Sequence, residues 1–130
     1  MTYTRNYVYT TVASAVRAEF PSANCTSRYS QTPSAFPNVY IYELDHAPTA
    51  RGKQLKADDI QWESVIEVQV ASNKQDGAAN EAYSIMDVVT SAMAGMYYRL
   101  INQFPDDKGT KYYLISQYRR VIGGGDQTGG

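Results

Sequence analysis

The chain has 130 residues, a net charge of −1 and a single cysteine, Cys25. This length predicts one domain with its own core, and the near-balanced charge argues against nucleic acid as the main partner, because phosphate binding favours a basic face. One cysteine excludes an internal disulfide and a zinc site built from several thiolates. No apolar run reaches the ~20 residues of a membrane span, and the N-terminus lacks a signal-peptide pattern, so we expect a protein of the cytoplasm.

The first predicted element is a helix over residues 6–20. Its apolar residues recur at spacings of three and four and therefore share one face. Pro21 ends it, because proline cannot continue a helix. Residues 24–28 are a candidate for a short strand, and residues 30–37, with two prolines, form a turn.

Two long strands follow. Residues 39–44 are β-branched and aromatic, as in a central strand. Residues 60–70 alternate, which predicts one buried face and one mostly solvated face that carries Glu63 and Glu67. The polar segment between them, residues 47–59, is predicted to be a long exposed hairpin loop, and loops of this length are often functional.

The second half of the chain predicts one long helix and one last strand. The helix runs over residues 78–102, a length of roughly 35 Å at 1.5 Å per residue. A turn at residues 105–109 leads to a strand over residues 111–122. The glycine-rich residues 123–130 are expected to be flexible.

This order of elements predicts an α+β fold. We expect an antiparallel-to-mixed sheet of three to four strands with two helices packed on one face. Residues 1–122 would form a single domain, followed by the tail 123–130. The uncovered face of the sheet, rich in tyrosine, would be solvated or would pack on another subunit.

No group of catalytic residues emerges from the sequence. His46 is the only histidine, and we expect it on a surface loop, while Cys25 is predicted to be a small buried hydrophobe. The acidic pairs at 58–59 and 106–107 are interpreted as solvated loop residues, with a weak divalent cation site as the alternative. We therefore predict no enzymatic activity, no cofactor and no metal.

The end of the last strand is basic at Arg119 and Arg120. Adjacent strand residues point to opposite faces, so these two arginines are not expected to form one patch on a sheet face. Two interpretations remain open. The charges keep a sheet edge soluble, or they form an ion pair across a subunit boundary with Glu63 or Glu67.

Several segments, taken in chain order, carry a resemblance to a known family. They are the opening helix, the turn S-R-Y-S-Q-T-P-S-A-F-P, the strands V-Y-I-Y-E-L-D and V-I-E-V-Q-V-A-S-N-K, the helix start E-A-Y-S-I-M-D-V-V and the final Y-R-R-V-I. Over residues 7–121 the chain resembles the tail terminator proteins of long-tailed bacteriophages, a family also called tail completion or minor capsid proteins.

The resemblance implies a non-enzymatic protein of the virion neck, assembled in the host cytoplasm. In this family, subunits form a hexameric ring that caps the tail tube, stops its polymerisation and gives the head connector a docking surface. The implied partners are other copies of the chain, the tail tube protein and the head connector, with DNA passing through the lumen without specific binding and no membrane contact. The resemblance also implies that the long hairpin loop, residues 47–59, contacts these partners. The candidate docking residues in this loop are Arg51, Lys53, Lys56, Asp58 and Asp59.

A ring also needs an interface between subunits. If each subunit adds an edge strand to its neighbour's sheet, main-chain hydrogen bonds carry part of the affinity. We expect the last strand to border this interface. The candidate residues of the subunit interface are Tyr112, Tyr113, Tyr118, Arg119, Arg120, Glu63 and Glu67.

Three other interpretations remain. In the first, the chain is a different head–tail adaptor or a tail-tube-related subunit, and these differ from a terminator in whether they polymerise. In the second, the chain is an enzyme that uses the aspartate pairs and His46. In the third, it is a small host adaptor with no viral role, an interpretation that stays open because fold does not fix function.

Overall fold

The structure, a computed structural model, describes residues 5–29, 33–48 and 62–122. The elements are α1 (Arg5–Glu19), β1 (Asn24–Thr26), β2 (Asn38–Pro48), β3 (Trp62–Ser72), α2 (Ala78–Gly95), β4 (Arg99–Asp107) and β5 (Tyr112–Ile122). The five strands form one sheet in the order β1-β2-β3-β5-β4. β1 runs parallel to β2 and the other pairs are antiparallel. The predicted α+β class is confirmed, with five strands in place of three to four.

Both helices pack against the same side of the sheet and form one core with it. α1 and α2 contact each other, α1 contacts β2, and α2 contacts β3 and β5. The strands contribute every second residue to this core, as their alternation predicts. The fully buried side chains include Val12, Val16, Ile85, Met86, Met93, Val39, Val68, Val70, Leu114 and Tyr118.

The long helix is shorter than the sequence predicts. α2 ends at Gly95, and the chain then turns into β4, which the prediction of a helix over residues 78–102 missed. The amide of Tyr98 donates to the carbonyl of Met93 at 2.9 Å, and the amide of Tyr97 donates to that of Ala94 at 3.0 Å. These two bonds are those of a Schellman motif, which ends a helix with a residue in the left-handed region. Here Tyr97 has a φ of 66°.

The last strand lies inside the sheet and not at its edge. β5 pairs with β3 on one side and with β4 on the other. β4 is the edge strand, and eight of its nine residues are exposed. The expectation that the last strand forms an edge was wrong, because it depended on the missed strand.

The hairpin between β2 and β3 is only partly described. β2 continues to Pro48, with a register shift between Glu43 and Asp45. The predicted loop therefore begins later than residue 47. Residues 49–61 lie outside the described residues, and so do all five candidate docking residues, Arg51, Lys53, Lys56, Asp58 and Asp59. The tail 123–130 lies outside them too.

Neither helix in the described part of the chain is long and apolar enough to cross a membrane.

Candidate interaction surfaces

The side of the sheet that the helices leave uncovered, here called the open face, is crossed by a polar row. Tyr42 of β2, Glu67 of β3 and Gln117 of β5 lie side by side in register. The Tyr42 hydroxyl donates to Glu67 Oε2, and the Gln117 amide donates to Oε1 at 2.8 Å. Gln69 donates to Oε2 at 3.1 Å. Three donors thus satisfy a carboxylate that is only 7% exposed.

This geometry corrects the prediction for Glu67. The sequence placed it on a mostly solvated face and offered it as an interface residue. Neighbouring side chains instead bury it and occupy both of its oxygens. Glu67 therefore holds β2, β3 and β5 together within one chain.

Glu63 and Arg119 form an ion pair on the same face. Arg119 Nε and Nη2 each lie 2.7 Å from Glu63 Oε2. Both side chains are partly exposed, so the pair contributes only about 0–1 kcal/mol to stability. The pair forms within one chain, which differs from the interpretation that placed it across a subunit boundary.

The three tyrosines proposed for the interface fall in different places. Tyr118 is fully buried under the helices, where its hydroxyl lies 2.8 Å from Thr90 Oγ1, and burial raises the pKa of its hydroxyl. A neighbouring molecule cannot contact it, so it leaves the candidate interface. Tyr112 is half-buried and packs against the core. Tyr113 is also half-buried, and Lys108 Nζ lies 5.5 Å from the centre of its ring.

An aromatic cluster covers the β2 end of the open face. The rings of Tyr40 and Tyr42 stack with centroids 4.5 Å apart, and Tyr29 meets Tyr40 at 5.6 Å. Burial, and then the nearby Glu67 carboxylate, raise the pKa of Tyr40. Across the sheet, an apolar patch forms where Phe104 pairs with Ile115. Large aromatic side chains with polar tips are common at protein interfaces.

A basic recess, here called the arginine cleft, lies where β4 begins beside the end of β5. It has a volume of about 460 Å³ and is lined by Tyr97, Arg99, Arg119, Arg120 and Val121. Arg120 Nη1 donates to the carbonyl of Met96 at 3.3 Å, and its guanidinium lies 5.6 Å from the centre of the Tyr97 ring.

The cleft brings together two arginines that the sequence kept apart. Arg119 pairs with Glu63 on the open face, while Arg120 turns towards the end of α2, so the two do point to opposite faces. Both reach the cleft because it lies at the end of the sheet, where the pairing of β4 with β5 begins at Arg99 and Arg119. Sequence analysis missed Arg99 and Tyr97, which fell inside the predicted helix and carried no signal of their own.

His46 lies in a polar cluster and not on a surface loop. It is part of β2, directly opposite Ser64 of β3. Its Nδ1 is 3.4 Å from Glu43 Oε2, and its ring stacks on Trp62 with centroids 5.0 Å apart. The Ser64 hydroxyl forms a 2.8 Å hydrogen bond with that of Tyr98. Ser64 is fully buried, so its hydroxyl joins strands and helix end and is closed to a substrate.

The remaining chemical candidates have local roles. Asp106 lies 3.5 Å from Lys108 Nζ, and Asp107 accepts a hydrogen bond from the Gly109 amide at 2.9 Å. Cys25 is buried, as predicted, and burial raises the pKa of its thiol. Among the described residues, no three His, Cys, Asp or Glu side chains are grouped as metal ligands.

A scan of protein-family models finds none that matches the chain, and a search of curated proteins finds no match either. The surfaces that bear on function are therefore the open face, the edge strand β4 and the arginine cleft.

Proposed function

We propose that the chain is a non-enzymatic structural protein of a bacteriophage virion, a tail terminator. Six copies form a ring at the head–tail neck, where the ring caps the tail tube and offers a docking surface to the head connector. The proposal extends the resemblance carried by residues 7–121. Other copies, the tail tube protein and the connector are the proposed partners.

The observation that carries the proposal is the uncovered edge strand. β4 is nine residues long and almost wholly exposed, and Leu100, Ile101 and Phe104 are large exposed hydrophobic residues on it. Exposed apolar edges favour association with another chain. β4 keeps these three exposed apolar side chains although it also carries Pro105 and a register shift, two features that hinder the addition of a long strand. A subunit of a ring has a use for such an apolar edge.

The edge also limits how subunits would join. Pro105 has no amide hydrogen to donate, and the register shifts between Leu100 and Asn102. A strand added by a neighbour would therefore be short, and packing of apolar side chains would contribute the rest of the contact. The opposite edge, β1, differs from β4 in length and direction, so joining one to the other is heterologous and closes a ring when the rotation fits.

A pair of matched variants tests the interface. Phe104→Lys puts a charge on the edge strand, and Tyr7→Lys puts one on α1 at a residue with the same 38% exposure. Phe104→Lys is expected to yield monomers while Tyr7→Lys keeps the ring. Rings that persist in Phe104→Lys would place the interface elsewhere.

Capping is tested with tail tubes of the same virus. Tail tube protein is allowed to polymerise with and without the purified chain, and tube length is measured by electron microscopy. A terminator stops growth and leaves one ring at a tube end. Incorporation along the tube wall, or the growth of tubes from the chain alone, would favour a tube subunit instead.

A further inference from the structure

We propose that the arginine cleft binds a carboxylate side chain from an extended, acidic segment of a partner protein. This inference does not require the ring, because every residue that carries it belongs to one chain.

The cleft holds more positive charge than the acidic residues in the described ranges neutralise. Arg99 lies directly opposite Arg119 in the β4–β5 pair, an arrangement in which like charges repel. Glu63 neutralises Arg119. Among the described residues, the Arg99 side chain forms neither a hydrogen bond nor an ion pair. With Arg120, three guanidinium groups thus share one carboxylate within residues 5–29, 33–48 and 62–122, while the whole chain carries a net charge of −1.

The end of β5 offers main-chain groups beside these charges. The β4–β5 pairing begins at Arg99 and Arg119, so residues 120–122 of β5 have no strand partner on that side within the described part of the chain. An extended segment can add to such an edge through main-chain hydrogen bonds while its side chains enter adjoining pockets. A side chain of that segment would then reach the cleft.

Tyr97 gives this site an aromatic wall. Its ring is 77% exposed, the highest value among the large apolar and aromatic residues in the described ranges, and its backbone adopts the left-handed region at a φ of 66°. Strained backbone that projects an exposed side chain is common at functional sites. Tyrosine and arginine are also the residue types that most often dominate binding energy at interfaces.

The geometry favours a carboxylate over nucleic acid. Arg119 already binds a carboxylate, that of Glu63, with two nitrogens 2.7 Å from one oxygen. The planar guanidinium matches carboxylates and phosphates alike, so the choice between them depends on the size of the recess and on the charge of the chain. A recess of about 460 Å³ suits a side chain, and the net negative charge of the chain disfavours a long polyanion.

The test uses the full chain and two fluorescent peptides of eight residues in which glutamate or glutamine alternates with threonine. Binding is measured by anisotropy at low salt and again at higher salt. The glutamate peptide is expected to bind more tightly than the glutamine peptide, and salt should weaken it. Arg99→Gln should weaken glutamate-peptide binding by about ten-fold or more. Arg28→Gln, at an exposed arginine outside the cleft, should leave it unchanged.

Three results would overturn the proposal. The two peptides bind equally, Arg99→Gln binds like the unaltered chain, or inorganic phosphate or duplex DNA binds more tightly than the glutamate peptide. Arg99 is exposed, so the variant should fold, and its melting temperature verifies this. A second variant, Tyr97→Gly, should also weaken the binding of the glutamate peptide while keeping the fold.

Discussion

Tyr42 lies directly opposite Glu67 in the β2–β3 pair and donates a hydrogen bond to its carboxylate. Two glutamine amides, those of Gln69 and Gln117, complete the set of donors. The donors come from three adjacent strands, so one buried acceptor ties together the middle of the open face. Loss of such an acceptor leaves its donors buried without a partner.

Replacing this acceptor is expected to destabilise the fold. In Glu67→Gln, a donor amide replaces one carboxylate oxygen and faces other donors, so the free energy of unfolding should fall by about 1–3 kcal/mol. Urea unfolding measures this loss. Glu63→Gln is the control, because that ion pair is partly exposed and should cost only about 0–1 kcal/mol. Equal losses in the two variants would contradict the assigned role of Glu67.

The end of α2 can be tested at Tyr97. Tyr97→Ala and Tyr97→Gly both remove the ring, but only glycine adopts the left-handed region without strain. The glycine variant should therefore be more stable than the alanine variant by about 1 kcal/mol. At Ala18, an exposed residue within α1, glycine should be less stable than alanine by a similar amount. Thermal or urea unfolding gives both differences, and the same sign at both positions would refute the left-handed helix end.

Tyr118 should make the protein less stable at alkaline pH. Burial raises its pKa above the ordinary value of 10.0 in the folded state. Well below pH 10 the hydroxyl is neutral in both states and contributes no pH dependence. As pH approaches and passes 10, it ionises first in the unfolded chain, so the unfolded state binds fewer protons and stability falls as pH rises.

The matching variant is Tyr118→Phe. It loses the hydrogen bond to Thr90, which should cost about 0.5–1.5 kcal/mol at neutral pH. Its stability should then decline less steeply between pH 9 and 11 than that of the unaltered chain, as measured by urea unfolding across that range. An identical slope would show that Tyr118 does not ionise on unfolding there.

Cys25 should react with thiol reagents only when the chain unfolds. It is buried in the core, and burial raises the pKa of its thiol, so little thiolate forms and the reagent has little access. A disulfide reagent at pH 8 should react slowly with the folded protein and at once in denaturant. Rapid reaction of the folded protein would contradict the burial of Cys25 in the core.

The sequence predicted the class of fold but not the length of α2. Apolar Met96 and Leu100 continue the helical spacing from Met93, so periodicity alone could not end the helix. The usual signal is a glycine in the left-handed position. Here Tyr97 occupies it and Gly95 precedes it. Because the end of α2 was missed, β4 was not predicted and β5 was expected at the edge of the sheet.

The candidate site was only partly accessible from the sequence for a related reason. Alternation along a strand places Tyr118 and Tyr113 on opposite faces of the sheet, but it does not say which face the helices cover. Burial of Glu67 depends on Tyr42 and Gln117, which are 25 and 50 residues away. The arginine cleft likewise depends on the register between β4 and β5. Such long-range pairings leave no local pattern.

The most direct test of the proposed function is the native mass of the purified full chain at several concentrations, with and without tail tubes, followed by imaging of the same samples. The account predicts a closed ring of six copies, with six times the 14.5 kDa mass of one chain, formed alone or at the tube end. Open tubes built from the chain itself, or a monomer that stays monomeric when tail tubes are present, would contradict it.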